Sequence, residues 1–302
     1  MFTMKINNKI VIETQKYERI NINNEWNVDE ICNNIIKYKH VMIRADLQGS
    51  GKTYAAQHMI KLGYRVLFVC PTNKLAQNNG VNGVTINNLF GMTINNEESL
   101  SKIDASQYDV IVFDEIYFVD ICKLSKIKNF VDNNKDKIII ATGDTSQLEP
   151  INDYSNQKKY DEYADECINL IFPYEIYLHE NKRLKSDQDK AKLKQIKKEI
   201  FDVNIPIMTT VNKYFKYTTD ITHSRKNIAY KNDTCNEVSA HSRKRLNKQN
   251  EYEIGEILIC RDYVKIKSGT FNVNFEYEII DIIDNTSLKI KHRTSPDTYE
   301  VP

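Results

Sequence analysis

The chain has 302 residues, enough for two domains or for one domain with a small appendage. Hydrophobic residues make up 41% and charged residues 27%, the balance of an ordinary soluble globular protein, and a net charge of +1 excludes a polycation. Any nucleic-acid surface must therefore be local.

No apolar run approaches the ~20 residues needed to span a membrane. Met1 to Asn8 lacks a signal-peptide core, so the chain is expected to be soluble and to stay inside a cell, in cytoplasm, nucleus or a viral replication site. Its six cysteines are scattered without a CxxC pair. Cys70 and Cys260 end apolar runs and read as reduced core residues. Abundant Lys, Asn, Ile and Tyr match an AT-rich genome.

The first informative stretch follows the apolar run Val41-Met42-Ile43. It is Asp46-Leu47-Gln48-Gly49-Ser50-Gly51-Lys52-Thr53, and it leads into a helical pattern from Tyr54 to Leu62. A strand, a glycine turn and a helix start present backbone N–H groups to nucleotide phosphates. Gly49 and Gly51 give the backbone freedom for close approach, with Ser50 between them. Lys52 is placed for the β- and γ-phosphates and the Thr53 hydroxyl for Mg²⁺. Asp46 stands where the consensus has glycine, which requires its carboxylate to point away or to pair with Arg44. A chance GxGK[ST] is the bland alternative; the flanking strand and helix argue against it.

Further along, Val66–Cys70, Val110–Phe113 and Ile138–Ala141 are apolar, mostly β-branched runs separated by helical stretches. That pattern marks a parallel sheet with both faces covered. Each run ends in a polar cluster: Pro71-Thr72-Asn73, Asp114-Glu115 and Thr142-Gly143-Asp144. Ligands of open parallel sheets gather at such carboxyl ends. In the acidic pair one carboxylate suits Mg²⁺ and its neighbour suits activation of water. Gln147, three residues beyond Asp144, is placed to sense a γ-phosphate and a water.

Residues 180–200 are polar and basic, with Lys190, Lys192, Lys194, Lys197 and Lys198 on an expected helix. After Pro206 the period shortens. Ile257–Cys260, Tyr263–Lys267, Tyr277–Ile283 and Ser287–Lys291 read as strands of a small β-barrel or sheet. Arg243-Lys244-Arg245 and the lysine helix read either as phosphate contacts or as solvated charged faces.

Six segments then fall in a fixed order: the phosphate loop, Pro71-Thr72-Asn73-Lys74, Thr85–Gly91, Asp114-Glu115, Gly143 to Pro150, and Asn181-Lys182-Arg183-Leu184. Together they resemble superfamily 1 helicases, closest to the RecD-like, 5′-to-3′ branch, over residues 40–185. The resemblance implies an α/β fold: a RecA-like P-loop NTPase domain over 1–183, a partial second RecA-like domain over 184–250 and an SH3-like β insertion over 251–302. It implies ATP and Mg²⁺, with Gly49, Ser50, Gly51, Lys52 and Thr53 on the nucleotide and Thr53 and Asp114 on the metal. Glu115 is the implied general base, Gln147 the γ-phosphate sensor and Arg183 an arginine reaching the transferred phosphate. Pro71, Thr72, Asn73, Asn88 and Phe90 match the part that touches single-stranded nucleic acid, DNA in preference to RNA. Phe90 is expected either to stack on a base or to pack in its own loop. Thr222 to Asn227 weakly resembles a strand end of the second motor domain.

The implied activity is ATP-driven movement along single strands, in a viral setting and alongside replication or repair proteins. The family continues with His-x-x-Gln-Gly and Ser-Arg segments that do not occur before Pro302. The expectation is a fragment with weak or no unwinding. The competing readings are a nucleotide-dependent nucleic-acid-binding module with little turnover, and a small-molecule kinase. A kinase leaves Gly143 to Pro150 unexplained.

Overall fold

The computed structural model describes residues 4–6, 9–11, 17–45, 47–92, 103–144, 157–216, 232–261, 264–267, 269–271, 273–284 and 286–302. Internal packing divides the chain into two units, Met1–Lys190 and Ala191–Pro302.

The first unit opens with an antiparallel pair, β1 (Met4–Ile6) and β2 (Lys9–Val11). Strand and helix then alternate. β3 (Glu18–Ile20), α1 (Val28–Tyr38), β4 (His40–Ala45), α2 (Lys52–Lys61), β5 (Val66–Cys70) and α3 (Asn73–Asn78) come first. β6 (Gly83–Thr85), α4 (Ile86–Phe90), β7 (Val110–Phe113), α5 (Ile121–Asn133) and β8 (Ile138–Gly143) follow. α6 (Gln157–Ile171), β9 (Tyr174–Leu178) and α7 (Asp187–Ile200) complete the series.

Strands β3 to β9 form one seven-stranded sheet, in the order β3-β9-β4-β8-β7-β5-β6, with every neighbouring pair parallel. The three strands read from continuous apolar runs are all present. Every residue of β5, β7 and β8 is buried, because helices cover both faces. Alternate strand residues feed two cores. Val41, Ile43, Phe68, Val112 and Ile140 pack with Ile35 of α1 and Met59 of α2. Met42, Leu67, Val69, Ile111 and Phe113 pack with Leu124 and Ile127 of α5 and Ile168 of α6. Short polar side chains start the helices: Asn27 accepts from the Glu30 N–H, Thr72 from Leu75, Thr85 from Asn88 and Asp120 from Lys123.

Within the parallel sheet, two glycines are required by packing. A Cβ at Gly83 would stand 1.8 Å from the Ala76 carbonyl oxygen, and one at Gly143 would stand 2.6 Å from the Tyr117 ring.

The second unit takes up the later part of α7 and adds α8 (Ile207–Tyr214) and α9 (Asn232–Arg245). Then come β10 (Ile257–Ile259), β11 (Val264–Ile266), β12 (Gly269–Phe271), β13 (Glu276–Asp284), β14 (Ser287–His292) and β15 (Thr298–Val301). β10-β13-β14-β15 is an antiparallel sheet and β11-β12 an antiparallel pair. Their core is Phe271, Tyr277, Ile279, Leu288 and Ile290, with Tyr299 packed against it.

The lysine-rich stretch is helical, as expected. It forms α7, and the boundary between units falls inside this helix rather than at 183/184. Among the described residues, 184–250 holds helices and no strand, so a partial RecA-like domain there rests on the resemblance alone. Thr222 to Asn227 lies outside the described residues. Arg243 is committed to structure, since its guanidinium bonds the Glu256 carboxylate and the Asn250 carbonyl. Among the described residues no helix is long and apolar enough to cross a membrane.

Candidate functional site

The carboxyl ends of the parallel strands place the polar clusters side by side. Along the sheet, from β9 through β4, β8 and β7 to β5 and β6, these are Asn181-Lys182-Arg183, the glycine loop, Asp144, Asp114-Glu115, Pro71-Thr72 and Thr85. Segments more than a hundred residues apart in sequence thus line one edge.

In the loop after β4, Gly49 has φ +81° and Gly51 has φ +94°, backbone conformations that suit glycine. Gly51 is the N-cap of α2 and supplies no side-chain cap, which leaves the first N–H groups of the helix without a side-chain acceptor. Ser50 is 1% exposed and its hydroxyl has no hydrogen-bond partner. An orphaned buried hydroxyl beside an uncapped helix start fits a bound anion. Lys52, 6% exposed, begins the helix. Asp46 lies outside the described residues. Arg44 is engaged elsewhere, pairing with Glu175 at 3.2 Å and Asp165 at 3.1 Å.

The acidic pair converges on this loop. The Thr53 hydroxyl donates to Asp114 Oδ1 at 3.3 Å, and the Thr142 hydroxyl donates to the same oxygen. Asp114 is buried, so these hydroxyls hold its carboxylate at a fixed place. The Glu115 N–H donates to Thr142 Oγ1 at 3.3 Å, and Glu115 has φ +53°, uncommon for a non-glycine residue. A carboxylate and a hydroxyl within 3.3 Å are hard oxygen donors of the kind Mg²⁺ uses. Among the described residues no group of three or more His, Cys, Asp or Glu could hold a metal by itself. A Mg²⁺ shared with phosphate oxygens needs no such group. Burial and the neighbouring Asp114 push the Cys70 thiol, at the end of β5, up to about 12, in keeping with its reading as an inert core residue.

A third wall comes from the turn after β9. Asn181 Nδ2 donates to the Gln48 carbonyl at 2.6 Å, and its Oδ1 accepts from the N–H groups of Arg183 (3.0 Å) and Leu184 (2.8 Å). The Lys182 N–H donates to the Gly49 carbonyl at 2.8 Å. The Arg183 Cβ would be 2.7 Å from a Cβ at Gly49, and Lys182 Cδ 3.3 Å from one at Gly51. Both side chains therefore lie against the phosphate loop. The Glu25 carboxylate braces the turn by accepting from the N–H groups of His179 and Glu180.

The structure brings together Gly49, Ser50, Gly51, Lys52, Thr53, Asp114, Glu115 and Arg183. Gln147 lies outside the described residues. Pro71 and Thr72 follow β5 and Asn73 opens α3, next to Thr85 through the Cys70–Thr85 register, and Asn88 is exposed on α4. Phe90 is half-buried and meets Phe130 edge-on at 6.1 Å, so packing, rather than stacking on a base, fits its position. Sequence reasoning missed Thr142, Asn181 and Lys182 as members of the site, although they stood inside quoted segments. Glu25 carried no signal, being about 150 residues from the turn it braces.

A family described as an AAA domain matches residues 29–165. No curated protein matches the sequence. Among solved structures, the chain is similar to a Pif1 helicase from a study of DNA unwinding at forked double-stranded DNA. That match has TM-score 0.61 and 15% identity, covering 93% of this chain and 76% of that one. It is also similar to the Bacteroides Pif1 helicase in complex with ADP-AlF3 and single-stranded DNA, with TM-score 0.58, 18% identity and 90% and 73% covered. The Candida albicans Pif1 helicase gives TM-score 0.57, 16% identity and 93% and 78%. At these identities the likeness establishes the fold: a RecA-like P-loop domain followed by a second domain with antiparallel strands.

Proposed function

We propose that this chain is the ATP-hydrolysing motor of a superfamily 1 DNA helicase or translocase, moving on single-stranded DNA. One observation carries the reading. The phosphate loop, the Thr53–Asp114–Thr142 cluster, Glu115 and Arg183 converge at adjoining strand ends, although they come from four distant parts of the sequence. The solved helicases of the same fold support it, one of them in complex with ADP-AlF3 and single-stranded DNA.

In this mechanism the N–H groups of the glycine loop and Lys52 bind the phosphates, and Ser50 supplies its free hydroxyl to them. Thr53 and Asp114 would hold Mg²⁺, which would supply charge neutralisation for the phosphates. Glu115 accepts the proton of the attacking water, and its left-handed backbone is tied to β8 by the N–H bond to Thr142. Arg183 stabilises charge on the transferred group, and Gln147 senses the γ-phosphate. Pro71, Thr72, Asn73 and Asn88 contact the DNA strand, with Phe90 supporting their surface from the core. The 5′-to-3′ direction, the RecD-like branch, replication or repair partners, an intracellular place of action and a viral setting belong to the same proposal. They rest on the resemblance and composition.

The test is phosphate release from ATP with and without single-stranded DNA. Single strands are expected to stimulate it. Lys52→Ala is expected to abolish it, and Glu115→Gln to lower it ~10²–10⁴-fold while nucleotide still binds. Unchanged turnover in Lys52→Ala would sink the site assignment. Binding of nucleotide and DNA without turnover would favour a binding module instead.

A further inference from the structure

Lys182 is held in a way that the roles above do not use. Its N–H is bonded to the Gly49 carbonyl at 2.8 Å, and its side chain runs back across the phosphate loop. An ideal Cβ on Gly51 would lie 3.3 Å from Lys182 Cδ and 3.7 Å from Nζ. The ammonium donates to the Glu25 carbonyl oxygen, is attracted by the nearby Glu25 carboxylate, and stands 5.4 Å from the centre of the Trp26 ring. Trp26 is itself 58% exposed and has a second cation, Lys190, at 6.0 Å. A half-buried cation thus rests on a carbonyl and an indole, immediately over the uncapped start of α2. Burial lowers the Lys182 pKa, the cost of holding an ammonium away from water.

We propose that Lys182 is a second phosphate-binding cation of the nucleotide site, parked on Glu25 and Trp26 and drawn from them by a polyphosphate chain. The inference rests on the nucleotide reading of the loop. A carbonyl, an indole face and a carboxylate already bonded to the His179 and Glu180 N–H groups hold the ammonium more weakly than direct, charge-assisted bonds to a multiply charged polyphosphate do. Binding of a polyphosphate therefore exchanges weak contacts for a strong one. Such an exchange also gives the turn after β9, and with it Arg183, a contact that depends on whether nucleotide is present.

Trp26 is the only tryptophan of the chain, so its emission reports on the cation beside it. The full chain is titrated with ATP, inorganic triphosphate and adenosine, following tryptophan emission and, independently, heat of binding. ATP and triphosphate are expected to change the emission saturably, and adenosine is not. In Lys182→Met the change is expected to vanish, with ATP and triphosphate affinity falling ~10-fold or more and adenosine affinity unaltered. Lys182→Arg, which keeps the charge, is expected to retain most of the affinity. A purely structural role would weaken adenosine and ATP alike, and that result overturns the proposal. Wild-type affinity for ATP in Lys182→Met overturns it while leaving the nucleotide site standing. No heat from wild-type protein with any of the three ligands overturns the nucleotide reading and this inference together.

Discussion

Glu199 illustrates what a single side chain contributes to the second unit. Its carboxylate Oε1 accepts from Lys213 Nζ at 2.7 Å, Gln195 Nε2 at 2.8 Å and the Tyr214 hydroxyl at 2.9 Å, joining α7 to α8. The Lys213 bond, above the others, holds its pKa down at about 2, from an ordinary 4.5. A carboxylate depressed in the folded state stabilises fully above its unfolded value and loses that contribution as pH falls through the folded one. Stability against denaturant is thus expected to fall as pH drops from about 5 to about 2, and Glu199→Gln should flatten that dependence. An unchanged pH profile in the variant would remove Glu199 from the account. At this scale, the sequence was legible where chemistry follows from local spacing, as with Gly49, Gly51, Lys52 and Thr53. It was silent where a role depends on a distant partner: nothing near Glu25 announces that it braces His179 and Glu180.

Among the elements, β5, β7 and β8 could be read directly, since strands buried on both faces become unbroken apolar runs. β3 and β6, at the two edges, are three residues each and too short to show a period. β9 mixes a buried Glu175 into its run because Arg19 and Arg44 both pair with that carboxylate. β6 instead depends on one absent side chain. With the Ala76 carbonyl 1.8 Å from where a Cβ would stand, Gly83→Ala must push β6 away from α3, and backbone cannot yield as a flexible side chain does. A loss of about 1–3 kcal/mol in denaturant unfolding is expected. An alanine variant as stable as the parent would show that this edge of the sheet tolerates displacement.

Among the described residues, the packed clusters are the two on the faces of the parallel sheet, in the first unit, and the one inside the antiparallel strands, in the second. Every residue of the candidate nucleotide site belongs to the first unit. Ligand binding stabilises only what it binds, by about 2.7 kcal/mol at a hundredfold excess over Kd. Calorimetry is expected to resolve two transitions, of which ATP raises the one that contains the parallel sheet. A single transition shifted as a block would show that the units unfold as one.

The order of strands also sets a schedule for synthesis. β4, which leads into the phosphate loop, has as its neighbours β8 and β9, so Val41 pairs with Ile140 and Tyr174. At ribosomal rates of ~5–20 residues per second, the final neighbour is made roughly 7–27 s after β4. Until β8 and then β9 are made, the strand's hydrogen-bonding edges are open and its apolar residues lack their full lateral cover. The nascent chain carrying β4 is therefore a natural client for a holding chaperone, and slowing translation between β4 and β9 should raise the fraction lost to aggregation.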